Sequence, residues 1–185
     1  MSTFIGRFRT NHFRVRDPRA FRKLMSAAGF AENSPYNPFW TSIDSKGRAC
    51  YAFGSMKGPT SEVIDPYFHI ILEHPEFPRF NHQKGCRDLT GFKRGTFPGA
   101  WLESHGLKEP DPSETFMDFC RALQPIVAED DAVVIIEAGY EKLRYVGADA
   151  TIITPVTIQP LTFNAYIDNC LKAMLGSGYT TRFEG

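Results

Sequence analysis

The chain has 185 residues, 42% of them hydrophobic and 23% charged, with 21 Lys and Arg balancing 21 Asp and Glu. That composition fits one globular domain and excludes a wholly disordered chain. The zero net charge excludes both an acidic nucleic-acid mimic and a duplex binder that works by summed charge alone.

The balance hides a split. Residues 1–100 hold 15 Lys and Arg against 8 Asp and Glu, and residues 101–185 hold 6 against 13. Such polarity allows head-to-tail self-association, basic half on acidic half, so a homo-oligomer is one expectation. The 16 Phe provide ample core volume. No apolar run nears the roughly 20 residues of a membrane span. The opening "MSTFIGRFRTNHF" lacks a secretory signal's apolar stretch, so the expected home is the cytoplasm and no membrane partner is expected. Cys50, Cys86, Cys120 and Cys170 are widely spaced and form no CxxC, which fits neither a disulfide framework nor a zinc ribbon.

In chain order, "HFRVR" (12–16) alternates, with Phe13 and Val15 on one face and His12, Arg14 and Arg16 on the other, which predicts a half-buried strand. Asp17-Pro18 then gives an N-cap followed by Pro at the first helical position. In the helix that follows, Phe21, Leu24, Met25 and Ala28 share a face opposite Arg19, Arg22 and Lys23, and Gly29 ends it. "FWTSI" and "ACYAF" around "DSKG" predict a hairpin. Residues 54–112 are broken by Gly and Pro and read as a loop-rich insertion whose one regular piece is "VIDPYFHIILEH". A loop this long needs pinning, and Phe77, Phe80, Phe92, Phe97 and Trp101 are the anchors to hand.

Regular structure resumes with a helix that has Ser113 as N-cap, Glu114 in its first turn and an apolar stripe of Phe116, Phe119, Cys120 and Leu123. "AVVIIEA" (132–138) reads as a central strand buried on both faces. Two further strands are expected at 142–147 and 150–154, joined near Gly147. A last helix at about 162–175 carries Phe163, Ile167, Cys170, Leu171 and Met174 on one face, and 176–185 is a flexible tail. The expected fold is one α+β domain over 1–185, an antiparallel sheet with helices packed on one face. Its order is β-α-β-β-insertion-α-β-β-β-α.

"NHFRVRDPRAF" at one end and "GYEKLRYVGADATII" near the other together resemble small accessory proteins of bacterial plasmids, integrative elements and phages. Those proteins start N-[YF]-F-R-V-x-D and carry a G-x-E-K-L-R-Y stretch late in the chain. The resemblance covers the two ends and not the insertion. It implies a mobile-element accessory protein and fixes no activity and no functional residue.

Few residues suggest chemistry. "YFHIILEHPEFPRFNHQKGC" (67–86) offers His69, Glu73, His74, His82 and Cys86, but HExxH order is absent and His74 turns away from the His69–Glu73 face, so these are weak metal candidates. No G-x-S-x-G elbow occurs, the Ser in "YAFGSMKG" sits in a turn context, and "GSMKGPTSE" has the wrong spacing for a phosphate loop. Glu129-Asp130-Asp131 could bind a divalent cation, but its place between a helix and a strand favours a polar turn. Glu137 interrupts an apolar strand and is expected to pair with Lys142 or Arg144. No catalytic residue and no cofactor is assigned.

What remains is a binding surface: Arg14, Arg16, Arg19, Arg22 and Lys23 from the first strand and helix, with Lys93, Arg94, Phe97 and Trp101 from the insertion. Arg and aromatic residues are enriched at protein interfaces. The expectation is a non-enzymatic protein that binds a host or phage protein, with inhibition of a host defence system as the concrete form. A nucleic-acid-binding regulator on the same basic stripe is the alternative, and a metal-dependent hydrolase or nuclease the second alternative.

Overall fold

The computed structural model of the chain describes residues 4–55, 58–81, 86–87, 97–141 and 145–175. In these residues β1 (Phe4–Thr10) leads to α1 (Pro18–Ala27), then β2 (Ala31–Glu32), β3 (Pro38–Ile43) and β4 (Ala49–Ser55). The insertion holds α2 (Thr60–Val63), α3 (Phe68–Glu73), the small pair β5 (Phe80–Asn81) and β6 (Cys86–Arg87), and α4 (Gly99–Ser104). The chain ends α5 (Thr115–Leu123), β7 (Val133–Glu141), β8 (Tyr145–Ile153), β9 (Ile158–Thr162) and α6 (Phe163–Leu175).

One seven-stranded sheet runs β2-β3-β4-β1-β7-β8-β9, antiparallel except where the short β2 pairs with β3. The expected α+β architecture is therefore present. β1 lies between β4 and β7 and joins the early hairpin to the late one, with Phe8 opposite Ser55 on one side and Glu137 on the other.

Alternation sorts each strand between two faces. Phe8 and Thr10 of β1, Tyr51 and Phe53 of β4, and Val133 and Ile135 of β7 point into one buried cluster. Helices α1 to α5 contribute to that cluster, through Phe21, Leu24 and Met25 of α1, Phe68 and Ile71 of α3, and Phe119 and Leu123 of α5. Phe53 sits at its centre. Its ring meets Phe8, Phe13, Phe30 and Phe119 edge-on, with centroids 5.4–6.2 Å apart, a favoured aromatic geometry.

The start of α1 is as expected: Asp17 Oδ1 accepts from the N–H groups of Arg19 and Ala20 at 2.8 and 3.1 Å. Gly29 follows it at φ 92°, a conformation that favours glycine. The insertion is also pinned as expected, with Phe77 and Trp101 buried and Phe97 packed against the cluster. A buried ion pair adds to this. Arg87 pairs with Asp65, donates to the Pro78 carbonyl at 2.7 Å, and lies 4.8 and 5.5 Å over the rings of Tyr67 and Phe77. Phe92 and the tail 176–185 lie outside the described residues, as does the Phe80 side chain.

Four expectations need correction. The first strand is Phe4–Thr10, and residues 12–16 supply only isolated bridges, Phe13 to Tyr51 and Val15 to Val127. "FIGRFRT" alternates as well as "HFRVR", and the second is turned by Arg14, whose backbone N–H donates to Asp131. Ser113 is not the N-cap of α5; Glu114 holds that position without a capping bond, and Ser113 bonds to Asp111 instead. The expected break between strands near Gly147 is absent, because β8 runs unbroken from Tyr145 to Ile153 through Gly147, which pairs with Gly139. Finally, β7 is not buried on both faces: Val133 and Ile135 are buried, but Ile136 is 52% exposed.

Candidate binding surface

The predicted basic stripe is largely paired within the fold. Arg14 donates through Nε to Asp131 Oδ2 at 3.0 Å and through Nη2 to Asp130 Oδ1 at 2.8 Å. Arg16 donates to the Val127 carbonyl at 3.0 Å and faces Glu129 at 3.7 Å. Arg22 reaches Glu32 at 2.7 Å and lies over the Phe39 ring. Among the described residues, Arg19 and Lys23 have no carboxylate partner.

These contacts also account for the acidic triplet. Glu129, Asp130 and Asp131 point at arginines and form a turn that clasps the lead-in to α1. Hydrogen bonding from Arg14 holds the Asp130 carboxyl below its ordinary value, and Arg22 does the same for Glu32. Two candidate sites read separately in the sequence thus neutralise each other.

The insertion half of the surface divides differently. Lys93 and Arg94 lie outside the described residues. Trp101 is 8% exposed, stacks on His105 at 3.8 Å and meets Phe77 at 4.8 Å, so its ring is occupied by packing. Phe97 packs on Phe77 at 5.2 Å.

The metal candidates do not converge where they are described. His69 and Glu73 share α3, and both are exposed. Burial pushes the His69 imidazole down, while Asp118 at 3.8 Å pulls it the other way. His74 leans on Glu76 at 3.2 Å, and His82 and the Cys86 side chain lie outside the described residues. No cluster of three or more His, Cys, Asp or Glu stands ready for a metal among the described residues.

Nucleophile candidates are equally plain. Ser55 is buried and donates to Asn37 Oδ1 at 2.9 Å. Burial pushes the Cys120 thiol up to about 12, which leaves it protonated at neutral pH. Glu137, expected to meet Lys142 or Arg144, accepts from the N–H and Oγ1 of Thr60 at 3.0 and 2.7 Å, at the start of α2. Lys142 and Arg144 lie outside the described residues.

The feature that sequence reasoning missed is the second face of the sheet. Register places Ile136 beside Arg9, Ala150 and, beyond it, Leu161; Val134 stands beside Ile152, and Ala138 beside Arg7 and Ala148. Val134, Ile136, Ala148, Ala150, Ile152 and Leu161 line a hollow of about 320 Å³ that Tyr166 of α6 also borders. A second hollow, of about 400 Å³, adjoins it at Ile136 and is lined by Arg7, Arg9 and Ala138. Tyr166 is 59% exposed, and Met174, expected on a packed stripe of the last helix, is also exposed.

Arg7 and Arg9 have no carboxylate partner among the described residues; Arg9 lies 5.9 Å over the Trp40 ring. The signal in the sequence was two interleaved alternations, 134-136-138 and 148-150-152, whose apolar residues fall on the face opposite Val133 and Ile135. A continuous apolar run conceals this, because it fits a strand buried on both sides equally well.

The chain matches no family model, no curated protein and no solved structure. Among the described residues, no helix is long and apolar enough to cross a membrane.

Proposed function

We propose that the protein is a non-enzymatic binding protein that engages a protein partner through the open face of its sheet, over β1, β7 and β8. The observation that carries this reading is the exposure of Ile136 on an apolar floor bounded by Arg7 and Arg9, which have no carboxylate partner among the described residues. Exposed apolar surface rimmed by polar groups is where an interaction site is first sought. The paired state of Arg14, Arg16 and Arg22 moves the reading from the predicted stripe to this face, with Arg19 and Lys23 at a separate place on the surface.

The cellular context of the proposal is the cytoplasm of a bacterium carrying a plasmid, integrative element or phage, where the partner is a host or phage protein and the effect is inhibition of a defence system. This context rests on the resemblance of the two chain ends and on nothing in the geometry.

The test is affinity capture from such a host with wild-type protein and Ile136→Asp as parallel baits. Ile136 is half exposed, so the variant is expected to keep the wild-type circular dichroism and melting temperature. The reading expects a partner retained by wild type and lost by the variant. A partner held equally by both places the interface elsewhere, and a gel shift with nucleic acid alone that collapses steeply with salt favours the regulator reading.

A further inference from the structure

The open face has a shape and a charge pattern as well as apolarity, and together they specify an occupant. From Val134 to Ala138 the floor is roughly 13 Å long at about 3.3 Å per residue of strand. From β1 through β7 to β8, short of β9 where α6 packs, it is roughly 10 Å wide at about 4.8 Å per strand. Small residues keep it shallow: Ala138, Ala148 and Ala150 alternate with Ile136, Val134 and Ile152. Tyr166 of α6 borders one side and Arg7 and Arg9 stand on the other.

A trough of that width takes one α-helix, whose diameter with side chains is about 10–12 Å. An added strand has poorer prospects. The outer edge of the sheet at β9 contains Pro160, which lacks an N–H to donate, and the other edge strand, β2, has only two residues. The face is apolar where a helix would lie, and an apolar sheet face gains stability when another element buries it.

Charge selects among helices. Arg14, Arg16, Arg22, Arg48, Arg87 and Arg121 each face a carboxylate of this chain. Arg7 and Arg9 do not, among the described residues, and they rim the trough one strand away from Ile136. The one acid among the residues lining the two hollows, Asp149, is on β8, away from them.

We infer that the open face docks one amphipathic helix of a partner protein, with an apolar stripe on Ile136, Ala150 and Ile152 and acidic residues along the flank that meets Arg7 and Arg9. This rests on the proposed function and names the occupant of that same surface. Single-stranded nucleic acid fits less well, because two arginines beside an apolar floor give little phosphate neutralisation.

The experiment uses the full chain and a fluorescein-labelled helical peptide of about 15 residues, with Leu at i, i+3, i+4 and i+7 and Glu on one flank. The comparison probes are the same peptide with Lys for Glu and a labelled single-stranded oligothymidylate. The expected result is saturable anisotropy with the Glu peptide only, abolished by Ile136→Asp. The double change R7E/R9E is expected to weaken binding about tenfold or more, and added salt to weaken it in the same direction.

Equal binding of the Lys peptide overturns the inference, as does Ile136-dependent binding of the oligonucleotide without the peptide. A dimer in sedimentation that Ile136→Asp dissociates also overturns it, in favour of a second copy. If no peptide binds while Ile136→Asp still releases a captured partner, the occupant is wrong and the interface reading stands. If neither peptide binding nor capture responds to Ile136, both fall.

Discussion

The two faces of β7 are made from one run of apolar residues and have opposite fates. Val133 and Ile135 are buried in the Phe-rich cluster, whereas Ile136, one residue on, is half exposed beside Arg9. The difference lies in what the rest of the chain brings to each side. Five helices and the insertion supply Phe21, Phe68, Phe77 and Phe119 to one face. The other receives α6 near β8 and β9, and small residues elsewhere. A strand rich in β-branched residues therefore records that it belongs in a sheet, and its covering is decided by distant segments.

The first way to break this comparison is to truncate a large residue on each side. Phe53→Ala removes the ring at the centre of the covered face and is expected to cost about 3–5 kcal/mol in urea unfolding. Ile136→Ala on the open face is expected to change stability by no more than about 0.5 kcal/mol. Equal costs would mean that the open face is covered in solution, by self-association or by another part of the chain.

A second way is to release the insertion that helps cover the inner face. Arg87→Ala leaves Asp65, which is 4% exposed, without its ion-pair partner. Stripping one member of a buried pair is expected to cost about 3 kcal/mol. The measurement is urea unfolding together with limited proteolysis, and faster cleavage within 58–81 than in β7 or β8 would show the insertion opening separately. A smaller effect is expected at the lead-in to α1: Asp17→Ala loses the bonds to Arg19 and Ala20 and should cost about 1 kcal/mol by the same unfolding assay.

These effects also separate what was legible in the sequence from what was not. Asp17-Pro18, the 21-24-25-28 spacing, Gly29 and the "DSKG" hairpin are local signals, with their cause within a few residues, and each is found in the fold. Aromatic anchoring of the insertion was legible too, because Phe77 and Trp101 stand out in a segment of Gly and Pro. The partners of the charged residues were not. Arg14 meets Asp131 across a separation of 117 residues, and Thr60 meets Glu137 across 77. A basic stripe and an acidic turn each look like a site until the fold puts one against the other. The open face was missed for a related reason: exposure of Ile136 depends on which helices reach β7, and no spacing within β7 encodes that.

The smallest expected effect concerns the carboxylates that pair with arginines around α1. Asp130 and Glu32 are both held below their ordinary values in the folded state, chiefly by hydrogen bonds from Arg14 and Arg22. A carboxyl depressed in the folded chain takes up its proton more readily when unfolded. Its contribution to stability is therefore complete above the unfolded value, about 4 for these groups, and is lost as pH falls through the lower folded value. The melting temperature should be level with respect to these two groups above about pH 5 and decline below about pH 4. Arg14→Ala frees Asp130 from its depression and should make that decline shallower. Arg7→Ala and Arg9→Ala should leave its slope unchanged, because neither arginine faces a carboxylate among the described residues. Melting curves of the three variants across that range measure the contrast directly. A change of slope with Arg7→Ala or Arg9→Ala would mean that an acid already sits on the open face, as a docked copy or segment would supply.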